Sequence, residues 1–187
     1  MAKKQYIYRN LIVEILDEPN YTFGSADNNF KYSKHHFGEG GHDYPTSKHG
    51  IKIFNEDQLI DNCIIIGSGG ATSINPYSSI INNDELIICC CDTVYCLTIT
   101  NLELKWQKKA DQATCFGVYK LQNDYLIHGE IEISRLDKEG NIIWQFGGSD
   151  IFVSLDDESF SLNFDHIALT DFCKTKYKVD FDGKVLV

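Results

Sequence analysis

The sequence predicts an all-β fold, an antiparallel meander of hairpins. Apolar and polar residues alternate with the period of two expected for half-buried strands, and Gly, Asn, Asp and Pro lie between the alternating segments, where turns are needed. No segment has the sustained 3.6-residue apolar stripe of an amphipathic helix. A chain of 187 residues is long enough to bury a core, and we assign residues 1–187 to a single domain.

The first part of the chain is the least regular. Gln5–Leu16 is rich in β-branched and aromatic residues, which predicts one or two strands with a bend near Asn10. Residues 21–50 follow no period and are rich in Gly, Asn, Asp, Ser and His, so we expect a long ordered loop, or short strands around an irregular excursion. Ile51–Phe54 and Cys63–Gly67 then predict two short strands joined by a polar hairpin.

The central stretch, Tyr125–Phe146, shows the pattern most clearly. We interpret it as one strand over residues 125–134, a turn over Asp137–Asn141 and a second strand that includes Trp144. Gly140 gives this turn a residue that tolerates positive φ.

Residues 78–187 contain three similar units, each reading strand, turn, strand, turn, strand. The units begin and end at equivalent residues: Asp84 and Trp106, Asp124 and Trp144, Asp165 and Val187. We interpret them as an internal repeat of about 40 residues. Such repeats predict stacked sheets, packed as a β-sandwich or as a small or incomplete propeller.

The turn of the second unit has a recognisable signature. Leu136-Asp137-Lys138-Glu139-Gly140, followed by Trp144, resembles the hydrophobic-Asp-x-x-Gly-x-x-x-Trp pattern of quinoprotein-type β-propeller repeats. Phe181-Asp182-Gly183 matches it in part, with Val187 at the Trp position, whereas the unit ending at Trp106 has Asn101-Leu102 in place of the Asp and Gly. The resemblance implies propeller-like packing in the C-terminal half. It does not imply the quinone, and we expect no cofactor.

A looser resemblance covers the whole chain. The segments YPTS-x-x-GIK and HGE-x-x-ISRLD-x-x-G are similar to those of a group of uncharacterised bacterial proteins. This second resemblance implies no activity.

Charge and hydropathy restrict the class of partner. The formal net charge of −10 repels phosphate backbones and anionic membranes, so neither nucleic acid nor a membrane is an expected partner. No apolar run is long enough to cross a bilayer, and we expect a cytoplasmic protein that binds another protein or a small molecule.

The seven cysteines are expected to be free. Their number is odd, most lie in apolar strand-like segments, and no C-x-x-C pair occurs, so we predict buried thiols in a reducing compartment. The consecutive residues Cys89–Cys91 would alternate between the two faces of a strand and could converge only if the chain bends.

Two groups of side chains are candidates for a site. The first lies in residues 21–50, the His-rich segment, where we predict that the binding residues are His35, His36, His42, Asp43 and His49. Their residue types suit zinc, but their spacing matches no zinc signature, so we predict no metal. The alternative is a solvated polar loop whose side chains bond their own backbone.

The second group is His128, Glu130 and Glu132. On a single strand these three residues would share one face, and a histidine beside carboxylates can perform acid–base catalysis. The alternative is the exposed polar face of an antiparallel sheet.

We expect a non-catalytic intracellular binding module of unknown partner. The alternative is a hydrolase-like enzyme, metal-dependent or using His and Glu as acid and base, with a site between the His-rich loop and strand 125–134. An enzyme requires residues 35–49 to fold over the face that carries His128, whereas a binding module does not.

Overall fold

Strands and their connections form all of the structure that the computed structural model describes, which comprises residues 2–154 and 159–186. The described strands form four sheets. The first sheet contains β1 (Lys3–Tyr8), β2 (Leu11–Asp17), β3 (Lys34–Phe37), β4 (Ser47–Asn55) and β5 (Gln58–Gly67). The second contains β6 (Ser79–Asn82), β7 (Glu85–Cys90), β8 (Thr93–Thr98) and β9 (Leu104–Lys109). The third contains β10 (Cys115–Leu121), β11 (Asp124–Gly129), β12 (Glu132–Leu136) and β13 (Ile142–Gly147), and the fourth contains β14 (Phe160–Leu162), β15 (Ile167–Thr170) and β16 (Lys176–Val179).

The predicted antiparallel meander is confirmed. The second, third and fourth sheets pair their strands in chain order, and every pair within them is antiparallel. The first sheet has the order β1-β2-β4-β5-β3, in which β3 pairs with β5 in parallel. This parallel strand comes from the irregular segment between β2 and β4, so the excursion predicted over residues 21–50 extends the edge of the first sheet.

The sheets pack face to face. Because successive side chains of a strand point to opposite faces, one sheet can pack against a neighbouring sheet on each side. In β7, Leu86 and Ile88 pack against the first sheet, and Ile87 and Cys89 pack against the third. A further apolar cluster, which includes Leu126, joins the third sheet to the fourth. Within the described residues no apolar cluster joins the first sheet to the fourth, so the four sheets form an open, propeller-like arc.

Each of the two tryptophans rests on a glycine of the next sheet. A Cβ added at Gly140 would lie 2.6 Å from the Trp106 ring, and one added at Gly183 would lie 2.7 Å from the Trp144 ring. The indole N–H of Trp106 donates to the Lys138 carbonyl at 3.0 Å, and that of Trp144 donates to a carbonyl of the next turn at 2.9 Å. Both glycines have φ +83°, so a side chain at either would be excluded by conformation as well as by contact.

The two glycine turns are built alike, which corrects the alignment of the repeat signature. Asp137 Oδ1 accepts hydrogen bonds from the amides two and four residues later, at 2.9 and 2.8 Å, and Asp180 Oδ1 does the same. The equivalent of Asp137 is therefore Asp180 and not Asp182, because only Asp180 has the spacing that caps the turn. Val187, expected at the Trp position of the last unit, lies outside the described residues.

The interpretation of residues 125–134 as one strand is wrong. β11 ends at Gly129, Glu130 and Ile131 form a turn, and β12 begins at Glu132. The buried carboxylate of Asp111 stabilises this reversal, since its Oδ2 accepts the amides of Ile131 and Glu132 at 2.9 and 2.8 Å. A Cβ at Gly129 would lie 2.2 Å from the same carboxylate oxygen, so only glycine fits before the turn.

Because Trp144 packs on Gly183 of the next turn, we expect its removal to destabilise the arc. Trp144→Ala should lower the free energy of unfolding by about 3 kcal/mol, the low end for a large aromatic because the side chain is half-buried. Trp144→Phe keeps most of the apolar contact but loses the indole N–H, and should cost about 1 kcal/mol. Urea denaturation of both variants measures the two values.

Ile143→Ala is the matched control, because Ile143 directly precedes Trp144 in the same strand and is 50% exposed. It should change stability by less than about 0.5 kcal/mol. Equal losses for Trp144→Ala and Ile143→Ala would contradict this account of the packing.

Candidate functional site

The two groups of candidate residues lie on different sheets. The His-rich segment covers the outer face of the first sheet, where Tyr21 and Tyr32 pack on Ile64 and Ile66 of β5. His128 is in β11 of the third sheet. None of the hydrogen bonds or ring contacts between described residues joins the His-rich segment to His128.

An aromatic pocket forms where the His-rich segment folds on itself; we define it by Tyr21, Phe23, His35, Phe37 and His42. The Phe23 ring centroid lies 4.9 Å from that of His35, 5.1 Å from that of Phe37 and 5.7 Å from that of His42. A cavity of about 200 Å³ is lined by four of these rings, those of Tyr21, Phe23, Phe37 and His42. Phe23 is 49% exposed, and it also lines a second hollow of about 360 Å³ together with Tyr21 and His35.

The polar atoms of the aromatic pocket are held in place. His35 Nε2 lies 2.7 Å from the Tyr21 hydroxyl, and burial, followed by the nearby His36, lowers the pKa of His35. His35 is therefore a neutral ring at pH 7. His42 Nδ1 lies 3.0 Å from the carboxylate of Asp43 at the exposed rim. The pocket thus presents aromatic surface with a polar rim, and Lys48 also lines its cavity.

The other two predicted binding histidines point elsewhere. His36 Nε2 lies 2.9 Å from the Leu102 carbonyl and so links β3 to the turn after β8 in the second sheet. His49 is fully buried in β4: its Nδ1 lies 3.0 Å from Asp17 and its Nε2 lies 3.1 Å from the Thr72 hydroxyl. The structure therefore brings His35 and His42 together, and places His36 and His49 outside the pocket.

The Asp17–His49–Thr72 network was not predicted from the sequence. Thr72 Oγ1 also accepts the Cys91 amide at 3.0 Å, and Asp17 accepts the Ile74 amide at 3.1 Å. Burial raises the pKa of Asp17, but the contacts with His49 and Ile74 outweigh it, so that the pKa lies below its usual value. The order of groups is that of a hydrolase triad. However, the imidazole is inaccessible, and the network fixes the segment that crosses from the first sheet to the second.

The residues predicted for acid–base chemistry have separate partners. His128 lies between the rings of Phe116 and Phe160, and burial lowers its pKa to about 4. Glu130 accepts the Thr114 hydroxyl at 2.7 Å, and Glu132 accepts the Gln145 amide at 3.0 Å. Because the chain reverses at Glu130, the equal spacing in sequence does not place the three side chains on one face.

The described residues contain no group of three or more His, Cys, Asp or Glu side chains arranged to hold a metal ion. Nor do residues 2–154 and 159–186 include a helix with the length and hydropathy needed to cross a membrane.

Comparison with known proteins identifies the fold. No protein-family model and no curated protein matches the chain, so the resemblance to quinoprotein-type repeats and to uncharacterised bacterial proteins has no support from sequence. The computationally designed Ika8 protein is 10% identical, with a TM-score of 0.52 over 98% of this chain and 59% of its own length. The AfRom2 CNH domain is 8% identical, with a TM-score of 0.52 over 100% of this chain and 53% of that chain.

BamB from Moraxella catarrhalis is 11% identical, with a TM-score of 0.50 over 74% of this chain and 42% of that chain. The fold is propeller-like. The chain spans about half the length of these similar structures.

The lowered pKa of Asp17 predicts a pH dependence of stability. A carboxylate with a folded pKa below its unfolded value of about 3.9 contributes stability above that value, and the contribution is lost as the pH falls through the folded pKa. Asp17→Asn should therefore destabilise the protein at pH 7, and its difference from wild type should shrink below about pH 4. Urea denaturation across this range measures the difference.

Asp43→Asn is the control, because that carboxylate lies at the exposed rim of the aromatic pocket. It should differ little from wild type at any pH. A constant Asp17→Asn difference from pH 7 to pH 3 would contradict the assignment.

Proposed function

We propose that this chain is a non-catalytic intracellular binding module whose aromatic pocket receives an apolar side chain of a protein partner. One observation carries the proposal: Phe23 is about half exposed and lines two hollows, on a segment ordered by its own contacts. Large aromatic side chains at a surface are typical anchors of protein interfaces, because they bury much area at low entropic cost.

The placement of the pocket supports this use. The pocket lies on an excursion supported by a rigid sheet, a common way of presenting binding residues. The middle of the excursion is held in place, since the Tyr32 hydroxyl donates to Glu18 at 2.6 Å and Lys34 pairs with Asp61 of β5. The net charge of −10 favours a partner with a basic surface around its apolar anchor.

The enzymatic alternative lacks a comparable observation. Acid–base chemistry needs His128 and a carboxylate within reach of one substrate atom. Glu130 and Glu132 instead bond Thr114 and Gln145, and the loop histidines lie on another sheet.

A photoreactive phenylalanine analogue at Phe23 tests the proposal directly. In cells that express the protein, the analogue at position 23 should crosslink to one defined protein. The same analogue at Phe164, which is fully exposed, should not crosslink to that protein. The crosslinked protein is then purified and its Kd measured. Phe23→Ala should weaken binding at least about tenfold, as expected when an aromatic anchor is lost.

Phe164→Ala is the matched control and should leave the Kd unchanged. Equal effects of the two substitutions would reject the pocket as the binding site. Hydrolytic turnover by wild type that His128→Ala abolishes would favour the enzyme instead.

A further inference from the structure

Three consecutive cysteines lie at the end of β7: Cys89 and Cys90 are its last two residues, and Cys91 follows directly. Two of the three face the same side. Cys89 packs toward the third sheet, whereas Cys90 and Cys91 both belong to the cluster between the first and second sheets. Strict alternation would turn Cys91 away from Cys90. Cys91 has φ +55°, and this bend at the end of the strand returns its side chain to the side of Cys90.

The two thiols converge beneath Gly67. A Cβ added at Gly67 would lie 2.9 Å from Cys90 Sγ and 2.9 Å from Cys91 Sγ, so the sulfur atoms share the space a side chain would take. The Cys90 thiol donates to the Ser47 carbonyl at 3.7 Å. Both residues are fully buried, in the cluster between the first and second sheets.

The surroundings make the two thiols unequal. The adjacent Cys90 side chain, together with Ser47, lowers the pKa of Cys91 against the effect of burial. Burial raises the pKa of Cys90. The Tyr95 hydroxyl, in the same cluster, is buried and has no hydrogen-bond partner among the described residues.

We propose that Cys90 and Cys91 form an oxidation site, at which a hydroperoxide joins the two adjacent thiols as a disulfide. This site is separate from the aromatic pocket and does not depend on the proposed binding function.

The reaction has two balanced steps. The Cys91 thiolate attacks the peroxide oxygen; an S–O bond forms, the O–O bond breaks, and the leaving alkoxide or hydroxide takes up a proton. The Cys90 sulfur then attacks Cys91 Sγ, the S–S bond forms, and the S–O bond breaks. The departing hydroxide leaves as water with the Cys90 proton. The two thiols lose two electrons and the peroxide gains them.

Such a disulfide is expected to be reversible. Adjacent Cα atoms are about 3.8 Å apart, closer than the roughly 4.4–6.8 Å of ordinary disulfides, and a strained disulfide is more easily reduced. Its formation would also shift the Cys91 backbone. The Cys91 amide donates to Thr72 Oγ1 at 3.0 Å, and its carbonyl accepts the Cys115 amide at 2.7 Å. The oxidised state would therefore loosen the crossing between the first two sheets.

Hydrogen peroxide is the probe. The native protein, with its circular dichroism spectrum checked before and after, is treated with a small excess, alkylated, and mapped by mass spectrometry. The expected product is a linked Cys90–Cys91 peptide lighter by two hydrogen atoms and restored by dithiothreitol. The amide resonances of Thr72 and Cys115 should shift in the same sample.

Two variants complete the test. Cys173→Ser, which removes the exposed thiol, should form the linked peptide at the wild-type rate, and Cys90→Ser should leave Cys91 as a sulfenic or sulfinic acid. The proposal is overturned if the folded wild type forms no Cys90–Cys91 link. It is also overturned if Cys173 is the only cysteine oxidised.

Discussion

The arc depends on a tryptophan of one sheet packing on a glycine turn of the next. Trp106 and Trp144 each place an indole ring where Gly140 or Gly183 has no side chain, and each indole N–H finds a carbonyl of the same turn. The contact fixes both the separation and the angle of neighbouring sheets, because a flat ring and a hydrogen bond act together. The Asp caps at positions 137 and 180 keep the receiving turns in the shape that the rings require.

An open arc leaves the outer face of its first and last described sheets without a neighbouring sheet. The His-rich excursion covers the face of the first sheet with an aromatic layer, and the aromatic pocket is part of that layer. In the fourth sheet, the exposed Lys176 and Lys178 instead alternate along β16 with the inward-facing Tyr177 and Val179. The two outer faces therefore differ in the partner they can bind. The aromatic layer on the first sheet offers apolar anchors for a partner, whereas the lysine-bearing face of the fourth sheet stays hydrated.

The segment that crosses from the first sheet to the second is held by buried polar side chains. Asp17, His49 and Thr72 form one network, and Thr72 also holds the amide of Cys91. Oxidation of Cys91 would thus disturb its hydrogen bond to Thr72, which lies in the crossing segment. The aromatic pocket lies on the other face of the first sheet, so the two sites use different surfaces of one scaffold.

The sequence by itself determined the all-β class and the turn at Asp137–Gly140, because alternation and turn residues act over a few neighbours. It also identified His35 and His42 as candidates. Only the tertiary structure decided that His128, Glu130 and Glu132 diverge, since the reversal depends on Asp111, distant in the chain. The same holds for the Asp17–His49–Thr72 network and for the pairing of Cys90 with Cys91. The residues of the network lie far apart in sequence. Cys90 and Cys91 are adjacent, but their side chains converge only because the chain bends at Cys91, and the sequence does not reveal that bend.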